Sequence, residues 1–270
     1  MRQATRVTKL YVSTDYGQFA FFPEDSVIGW DLAVRGEWEP TETSLLLELV
    51  RPGDAVVDVG ANLGWFTVQL ARKVGPAGSV LSFEPAPGNF VLLNENIALN
   101  GFSGTVETRQ VALLDRAGTA EFELSPSNYG DHRIRTTSAD APGELYAESS
   151  RAVINVATQT LDDALRSTRR EASRIRLLKM DCQGSEGAIA RGAEQAFARC
   201  DYLATEFWPY GLRRAGSDPA EYLGILQNAF GSFALLDEST TQLSFAPVSE
   251  LSHDAATIAG DEFRFYVFRH

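Results

Sequence analysis

Cysteine is scarce: Cys182 and Cys200 are the only two in 270 residues, which argues against a disulfide framework or a cysteine-rich zinc site and points to a reducing compartment. Long apolar runs are missing as well. No stretch approaches the ~20 residues that span a bilayer, and Met1 to Thr8 has no apolar signal core, so the expectation is a soluble, cytoplasmic protein with no membrane partner. Basic charge is short too, with 24 Lys and Arg against 36 Asp and Glu, a net charge of -12 and a pI near 4.8. That balance opposes nucleic-acid phosphate and anionic lipid and favours a neutral or cationic ligand. Internal repeats and low-complexity tracts are absent. The 44% hydrophobic and 22% charged residues that are present suffice for the core of one large α/β domain or two small ones.

The most informative stretch runs from Val56 to Trp65, where an apolar run ends in Asp58 and passes through a glycine-spaced turn into a helical pattern. It reads as strand, tight turn, helix. Gly60 and Gly64 permit the turn and leave a helix N-terminus open, whose free N–H groups favour a ligand carboxylate. Asp58 is placed to hold the same ligand's ammonium. A dinucleotide fingerprint wants a second glycine where Asn62 or its neighbour stands, so an amino-acid-bearing ligand fits better than a diphosphate. About twenty residues on, Ser79 to Phe83 forms a second apolar strand ending in Glu84, the spacing at which an acid accepts ribose hydroxyls. A methionine-like head and a ribose together specify S-adenosylmethionine.

Residues 7 to 38 alternate short apolar pieces with turns and predict small strands forming a lid, with Trp30, Trp38 and the Gly36-Glu37-Trp38-Glu39 segment either touching ligand or, for the aromatics, packed on the surface. Thr43 to Val50 reads as a helix. Phe66, Leu70 and Val74 keep helical spacing up to Gly75-Pro76, and Pro85 to Asn100 is a second helix. Val106 to Leu114 and Thr119 to Leu124 predict a hairpin. Residues 125 to 150 break the pattern: Asn128 to Arg135, with Tyr129, Asp131, His132 and Arg133, are read as substrate-facing, and Ser138 to Ser150 as flexible. Alternation resumes with Val153 to Val156, a helix capped by Thr160, and a buried strand Ile175 to Met180 ending at Asp181. Gly184 and Ser185 open a short helix, and Cys182 is read as packing. Tyr202 to Phe207 ends in Trp208-Pro209, Asp218 to Glu221 starts a helix, and Phe233 to Leu236 and Glu262 to Arg269 are the last strands. Strands separated by helices give an α/β, doubly wound sheet with its ligand beyond the strand C-termini.

These residues resemble a class I S-adenosylmethionine-dependent methyltransferase, and more narrowly the FkbM family. The resemblance rests on Asp-Val-Gly-Ala-Asn-Leu-Gly at 58–64, Phe-Glu-Pro at 83–85, Asn-Ile-Ala-Leu-Asn-Gly at 96–101, Val-Ala-Leu at 111–113, Thr-Leu-Asp-Asp at 160–163 and Lys-Met-Asp-Cys-Gln-Gly-Ser-Glu at 179–186. It implies a mostly parallel, seven-stranded Rossmann-like sheet in residues 45–270, preceded by an N-terminal lid in 1–44 and interrupted by an insertion at about 125–150. It also implies O-methylation of a hydroxyl on a natural product or sugar, and a cofactor site drawn from Asp58, Gly60, Ala61, Asn62, Gly64, Glu84, Pro85, Val111, Ala112 and Asp181. One departure is Gln183, where the family usually shows an acid. The competing readings are a non-catalytic module that keeps the cofactor pocket and a nicotinamide-dependent oxidoreductase, against which Asn62 counts.

Methyl transfer to an alcohol needs the acceptor oxygen held in line with the sulfonium and its proton removed. His132 and Asp181 are the candidate catalytic groups. Tyr129, Asp131, Arg133, Glu206 and Trp208 are the candidate acceptor contacts. Asp181, Glu206 and Asp131 form a candidate magnesium site, with strand-end helix capping as the competing explanation. The expected partner is a small-molecule acceptor. Oligomeric state is left open.

Overall fold

The computed structural model describes residues 8–135, 150–169 and 173–270. The chain opens with the hairpin β1 (Leu10–Thr14) and β2 (Gly17–Phe21), then α1 (Ile28–Arg35) and α2 (Pro40–Leu49). Next come β3 (Ala55–Val59), α3 (Trp65–Val74), β4 (Ser79–Phe83), α4 (Pro87–Leu99), β5 (Val106–Arg109), β6 (Ala112–Leu113), β7 (Gly118–Leu124) and β8 (Arg133–Ile134). The second half carries β9 (Ala152–Gln159), α5 (Leu161–Arg166), β10 (Ile175–Met180), α6 (Glu186–Arg191), α7 (Glu194–Arg199) and β11 (Cys200–Phe207). It ends with α8 (Pro209–Arg214), α9 (Pro219–Ala229), β12 (Ser232–Leu236), β13 (Ala246–Pro247), α10 (Leu251–Ala255) and β14 (Arg264–Arg269). Among the described residues no helix is long and apolar enough to cross a membrane.

The main sheet has the order β13-β12-β14-β11-β10-β3-β4-β5. Seven strands form its body, and the two-residue β13 extends the edge of the expected sheet. Pairing is parallel from β11 through β5 and antiparallel around β14. Because successive side chains alternate faces, Val57, Val59, Leu178 and Met180 enter one apolar cluster with Ile189, Phe197 and Leu226 of the covering helices. Val56, Leu177 and Ala204 enter another, with Leu45, Leu46, Val68 and Leu70. Both faces are thus buried, as the near-continuous apolar runs of β3 and β10 require.

The N-terminal segment is more helical than expected. Val27-Ile28 leads into α1, which ends at Gly36 in the left-handed region with its N–H bonded to Leu32 O. Helix α2 starts at Pro40, three residues before the predicted Thr43, and so crosses the expected boundary at 44. Phe19, Phe21 and Phe22 are buried with the α2 and α3 side chains.

The expected hairpin of 106–114 with 119–124 is not formed. Its first arm divides: β5 closes the edge of the main sheet, while β6 joins a four-stranded sheet of order β6-β9-β7-β8. There β7 pairs with β9 from Gly118↔Thr158 to Leu124↔Ala152. The long β9 satisfies the whole of β7 and buries Phe122 and Val156 with Ala86 and Ala112, which the two-residue β6 could not do. Of the expected irregular loop, 129–131 is a 3-10 turn and 133–134 a strand, while 136–149, including most of the segment read as flexible, lie outside the described residues.

The turns after β3 and β10 touch. A Cβ built on Gly60, whose φ is +83°, falls 1.9 Å from the Asp181 carbonyl oxygen. Gly60→Ala therefore adds left-handed strain to a backbone clash and should lower stability by about 2 kcal/mol or more. Thermal unfolding checks this, and an unchanged melting temperature would mean the turns are not in contact.

Candidate active site

Three strand ends build the site. After β3, Asn62 adopts φ +51°, a conformation its short amide tolerates, and its backbone N–H donates to Glu84 Oε2 at 2.8 Å. Glu84 Oε1 accepts from Ala86 N at 2.8 Å, so this one carboxylate ties the turn after β3 to the turn after β4. The Asn62 side chain donates to Tyr129 O at 3.0 Å, and Asn89 donates to the same oxygen at 3.1 Å. That oxygen anchors the 3-10 turn above the glycine turn. Helix α3 begins at Gly64 with no side-chain cap, leaving its first N–H groups available to an anion.

Two cavities lie along these turns. The first is walled by Glu84, Pro85, Val111, Ala112, Tyr129 and His132, and the second, of about 140 Å³, by Trp38, Glu39, Ala61, Leu63, Phe66 and Lys179. Gly60, Asn62 and Asp181 belong to both. Side by side, the two cavities lie along the carboxyl edge of the sheet, from the end of β4 to the end of β10, with these residues as their common wall.

Charge in this region centres on Lys179, which is buried opposite Asp58 in the β10–β3 register. Its ammonium lies 3.3 Å from Asp181, 3.7 Å from Glu42 and 4.3 Å from the centre of the Phe66 ring. Burial alone would lower the Lys179 pKa, but Asp181, then Glu42, Asp58 and Glu39, raise it above its ordinary value. Burial pushes the Glu84 carboxyl up to about 7, against the two backbone donors that lower it.

Comparison with known proteins gives a family match over residues 58–229, to the Methyltransferase FkbM domain. The chain belongs to the FkbM methyltransferase family. Methyltransferase sdnD of Sordaria araneosa is 30% identical over 180 residues, covering 58% of this chain and 68% of that protein. Methyltransferase 1 of Beauveria bassiana is 29% identical over 154 residues, covering 53% of this chain and 60% of that protein. The 31-O-demethyl-FK506 methyltransferase FkbM of Streptomyces tacrolimicus is 40% identical over 77 residues, covering 28% of each. A solved S-adenosylmethionine-dependent O-methyltransferase from Thermotoga maritima gives a TM-score of 0.44 at 12% identity, over 96% of this chain and 85% of that one.

Membership makes S-adenosylmethionine the cofactor of this FkbM protein, and the donor set fits it. The first cavity has an acid at the end of β4, of the kind that accepts ribose hydroxyls, and the second has an uncapped helix end and a buried carboxylate oxygen beside it, polar groups complementary to an amino-acid head. Of the residues expected to hold cofactor, Gly60, Asn62, Glu84, Pro85, Val111, Ala112 and Asp181 line the first cavity and Ala61 the second. Gly64 packs against Leu93 at the start of α3. Asp58 corrects the reading that it holds the ligand ammonium directly. It is fully buried, its Oδ2 accepts from Thr67 at 2.6 Å, and it lines neither cavity.

Several acceptor and catalytic expectations also change. His132 lies in the first cavity, but its Nδ1 accepts from Ser125 N at 3.0 Å, and burial, then Arg151, lower its pKa to about 4. With that lone pair used, the neutral ring presents an N–H, so His132 is a poor base near neutral pH. Its ring lies 5.0 Å from that of Tyr129 and forms cavity wall. Arg133 is completely buried, 3.0 Å from Asp131 and 3.6 Å from Glu123. Asp131 also pairs with Arg151, so both residues brace the second sheet instead of facing substrate. Trp208 is buried with its Nε1 donating to Asp261 O at 2.9 Å. Cys182 follows β10 and is half-buried on the wall of the first cavity, its thiol pushed well up by burial.

The magnesium expectation fits poorly. Asp131 is engaged elsewhere, and the acids that do converge are Asp181, Glu186 and Glu206, with one oxygen of each within 4.8 Å of the others. Glu186 already accepts from Cys182 N at 2.5 Å and Gly184 N at 2.9 Å, and Asp181 faces the Lys179 ammonium. A divalent ion would have to displace those donors. Gln183, the departure from the family pattern, donates to Asp181 Oδ1 at 3.0 Å, which an acid at that position could not do when ionised.

Glu42 escaped the sequence reading, and Glu39 entered it only as the last residue of the Gly36–Glu39 segment. The signal that would have found Glu42 is Pro40: a proline at the first turn moves the helix start back and brings both acids to this end of the sheet.

Glu84 carries a test with two parts. Glu84→Ala should weaken S-adenosylhomocysteine binding about ten- to hundredfold, the loss of a charge-assisted contact worth ~1.5–3 kcal/mol. Because burial raises the folded carboxyl to about 7 from an ordinary glutamate value of 4.5, the folded state holds the proton more tightly. The Glu84 contribution to apoprotein stability is therefore full below about 4.5 and lost as pH rises through about 7. Denaturant titration across this range should show a shallower decline for Glu84→Gln than for the wild type.

Proposed function

We propose that this FkbM methyltransferase transfers the methyl group of S-adenosylmethionine to a hydroxyl oxygen on a small natural-product or sugar acceptor. The observation that carries this reading is Asp181: it stands on the wall that the two cavities share, its oxygens oriented by Gln183 and Lys179. A hydroxyl brought there meets a fixed carboxylate that accepts its hydrogen bond, orients its lone pair and takes its proton as charge shifts to the sulfonium. The cofactor supplies the electrophilic methyl group. The protein supplies alignment and the proton acceptor.

An outer groove supports a small-molecule acceptor. It has a volume of about 740 Å³, lies between the start of α2 and the ends of β12 and β14, and includes Arg35, Glu39, Glu42, Asp237, Phe263 and Phe265. Its mixture of charged and aromatic groups suits a polyhydroxylated ring compound better than nucleic-acid phosphate, in keeping with the net charge of -12. The relative from Streptomyces tacrolimicus carries a name that specifies a 31-O-demethyl acceptor. Acceptor recognition falls in this reading to the N-terminal segment, through Trp38 and Arg35, and to the turn at Tyr129. Magnesium has no part in it.

The test is S-adenosylhomocysteine release against a panel of hydroxylated macrocycles and glycosides, with RNA and amines as contrasts. Release with hydroxylated compounds alone is the expected result, and cofactor binding without release from any of them would favour a binding module. With the acceptor found, Asp181→Asn should lower kcat about a hundredfold or more while leaving cofactor Kd within about threefold. His132→Ala should keep kcat, and chelator should leave it unchanged. A full-rate Asp181→Asn enzyme would remove Asp181 from the chemistry.

A further inference from the structure

The acids around the second cavity are not equivalent. Asp181 already accepts from Gln183 and Lys179, Asp58 lies beneath the cavity bonded to Thr67, and Glu42 stands 3.7 Å from the Lys179 ammonium. Asp58 Oδ1 and Glu42 Oε1 are, like Glu39 Oε2, buried without a hydrogen-bond partner, but of these three residues Glu39 alone lines the cavity. A carboxylate oxygen taken out of water with nothing in return is costly. Burial, and then Asp181, accordingly push the Glu39 carboxyl up to about 7, against Lys179 and a hydrogen bond from Trp38.

The backbone supports the same conclusion. Glu39 has φ 45° and ψ 61°, the left-handed region, immediately before Pro40. That conformation is sparsely populated for a residue with a side chain, and such outliers concentrate at ligand contacts. Pro40, fixed at the start of α2, leaves Glu39 little freedom to relax.

A cofactor with its ribose on Glu84 has its methionyl end directed into the second cavity, because Gly60, Asn62 and Asp181 belong to both walls. The methionyl carboxylate meets the uncapped N-terminus of α3. The ammonium needs an anionic oxygen that is not already engaged and belongs to a residue lining that cavity, a condition that Glu39 Oε2 meets and Asp58 Oδ1 and Glu42 Oε1 do not. We propose that Glu39 holds the cofactor's α-ammonium through Oε2. The proposal rests on the nucleoside lying against Glu84.

Charge balance agrees. With Glu39 and Asp181 ionised opposite Lys179, the cavity has one negative charge in excess, and the cofactor brings an ammonium and a sulfonium against one carboxylate. Glu39 also lines the outer groove, so the ammonium contact lies at the partition between cofactor and acceptor entrance.

Calorimetric binding of three known compounds tests this: S-adenosylhomocysteine, its analogue lacking only the α-amino group, and 5′-methylthioadenosine. In the wild type the des-amino analogue should bind about ten- to hundredfold more weakly than S-adenosylhomocysteine. Glu39→Gln should cost S-adenosylhomocysteine a similar factor while the other two bind both proteins alike, and Glu39→Asp should fall between. Equal loss for all three ligands, or an unchanged S-adenosylhomocysteine affinity in Glu39→Gln, overturns the assignment. If the variant does not fold, equal affinity of the wild type for S-adenosylhomocysteine and its des-amino analogue overturns it instead. Glu84→Ala, which should weaken all three compounds together, tests the nucleoside placement separately.

Discussion

The site depends on one buried cation. Lys179 sits on the central strand β10 with Asp181, Glu42 and Asp58 around it and the Phe66 ring beneath its ammonium. Acids converge there because the sheet is parallel: the ends of β3 and β10 emerge side by side, and the start of α2 is brought against them. Without an internal counter-charge, these carboxyls would have to be protonated or the edge would open to water. Removing a buried cation from such a group leaves uncompensated charge, a loss of about 3–5 kcal/mol. Lys179 therefore both closes the core and fixes the orientation of Asp181 on the wall that the two cavities share.

The glycine turn is held equally firmly. Glu84 receives N–H groups from Asn62 and Ala86, and the Gly60 backbone passes so close to Asp181 that no side chain fits. The turns after β3, β4 and β10 are consequently one rigid unit. Catalytic alignment is sensitive to small displacements, so a unit fixed from three strands is a suitable mount for a cofactor.

The parts legible in the sequence were those whose signal is local. β3, β4 and β10 are apolar runs with acids at their ends, and α3 and α4 keep helical spacing, so the sheet, the glycine turn and the position of Glu84 beside it could all be read from pattern and spacing. Pairing was not legible. An alternating segment such as β7 announces a strand without naming its partner, and β9, almost thirty residues away in sequence, took the place expected for the nearer arm. The fate of polar side chains was also hidden. Arg133 and Asp131 look like solvent-facing loop residues until Arg151 and Glu123 are brought beside them by that pairing. His132 looks like a base until the Ser125 N–H occupies its Nδ1.

The four-stranded sheet has a consequence for the shape of the first cavity. Ala112, Leu113, Phe122 and Ile134 belong to that sheet, whereas Val59, Phe83 and Glu84 of the opposite wall belong to the main sheet or its strand ends. The wall of this cavity is thus divided between two separately hydrogen-bonded layers. Its width is set by how the side chains of one layer pack on the other and not by the pairing within either, so a substitution in β7 to β9, far in sequence from the glycine turn, can reshape the cavity without disturbing the main sheet.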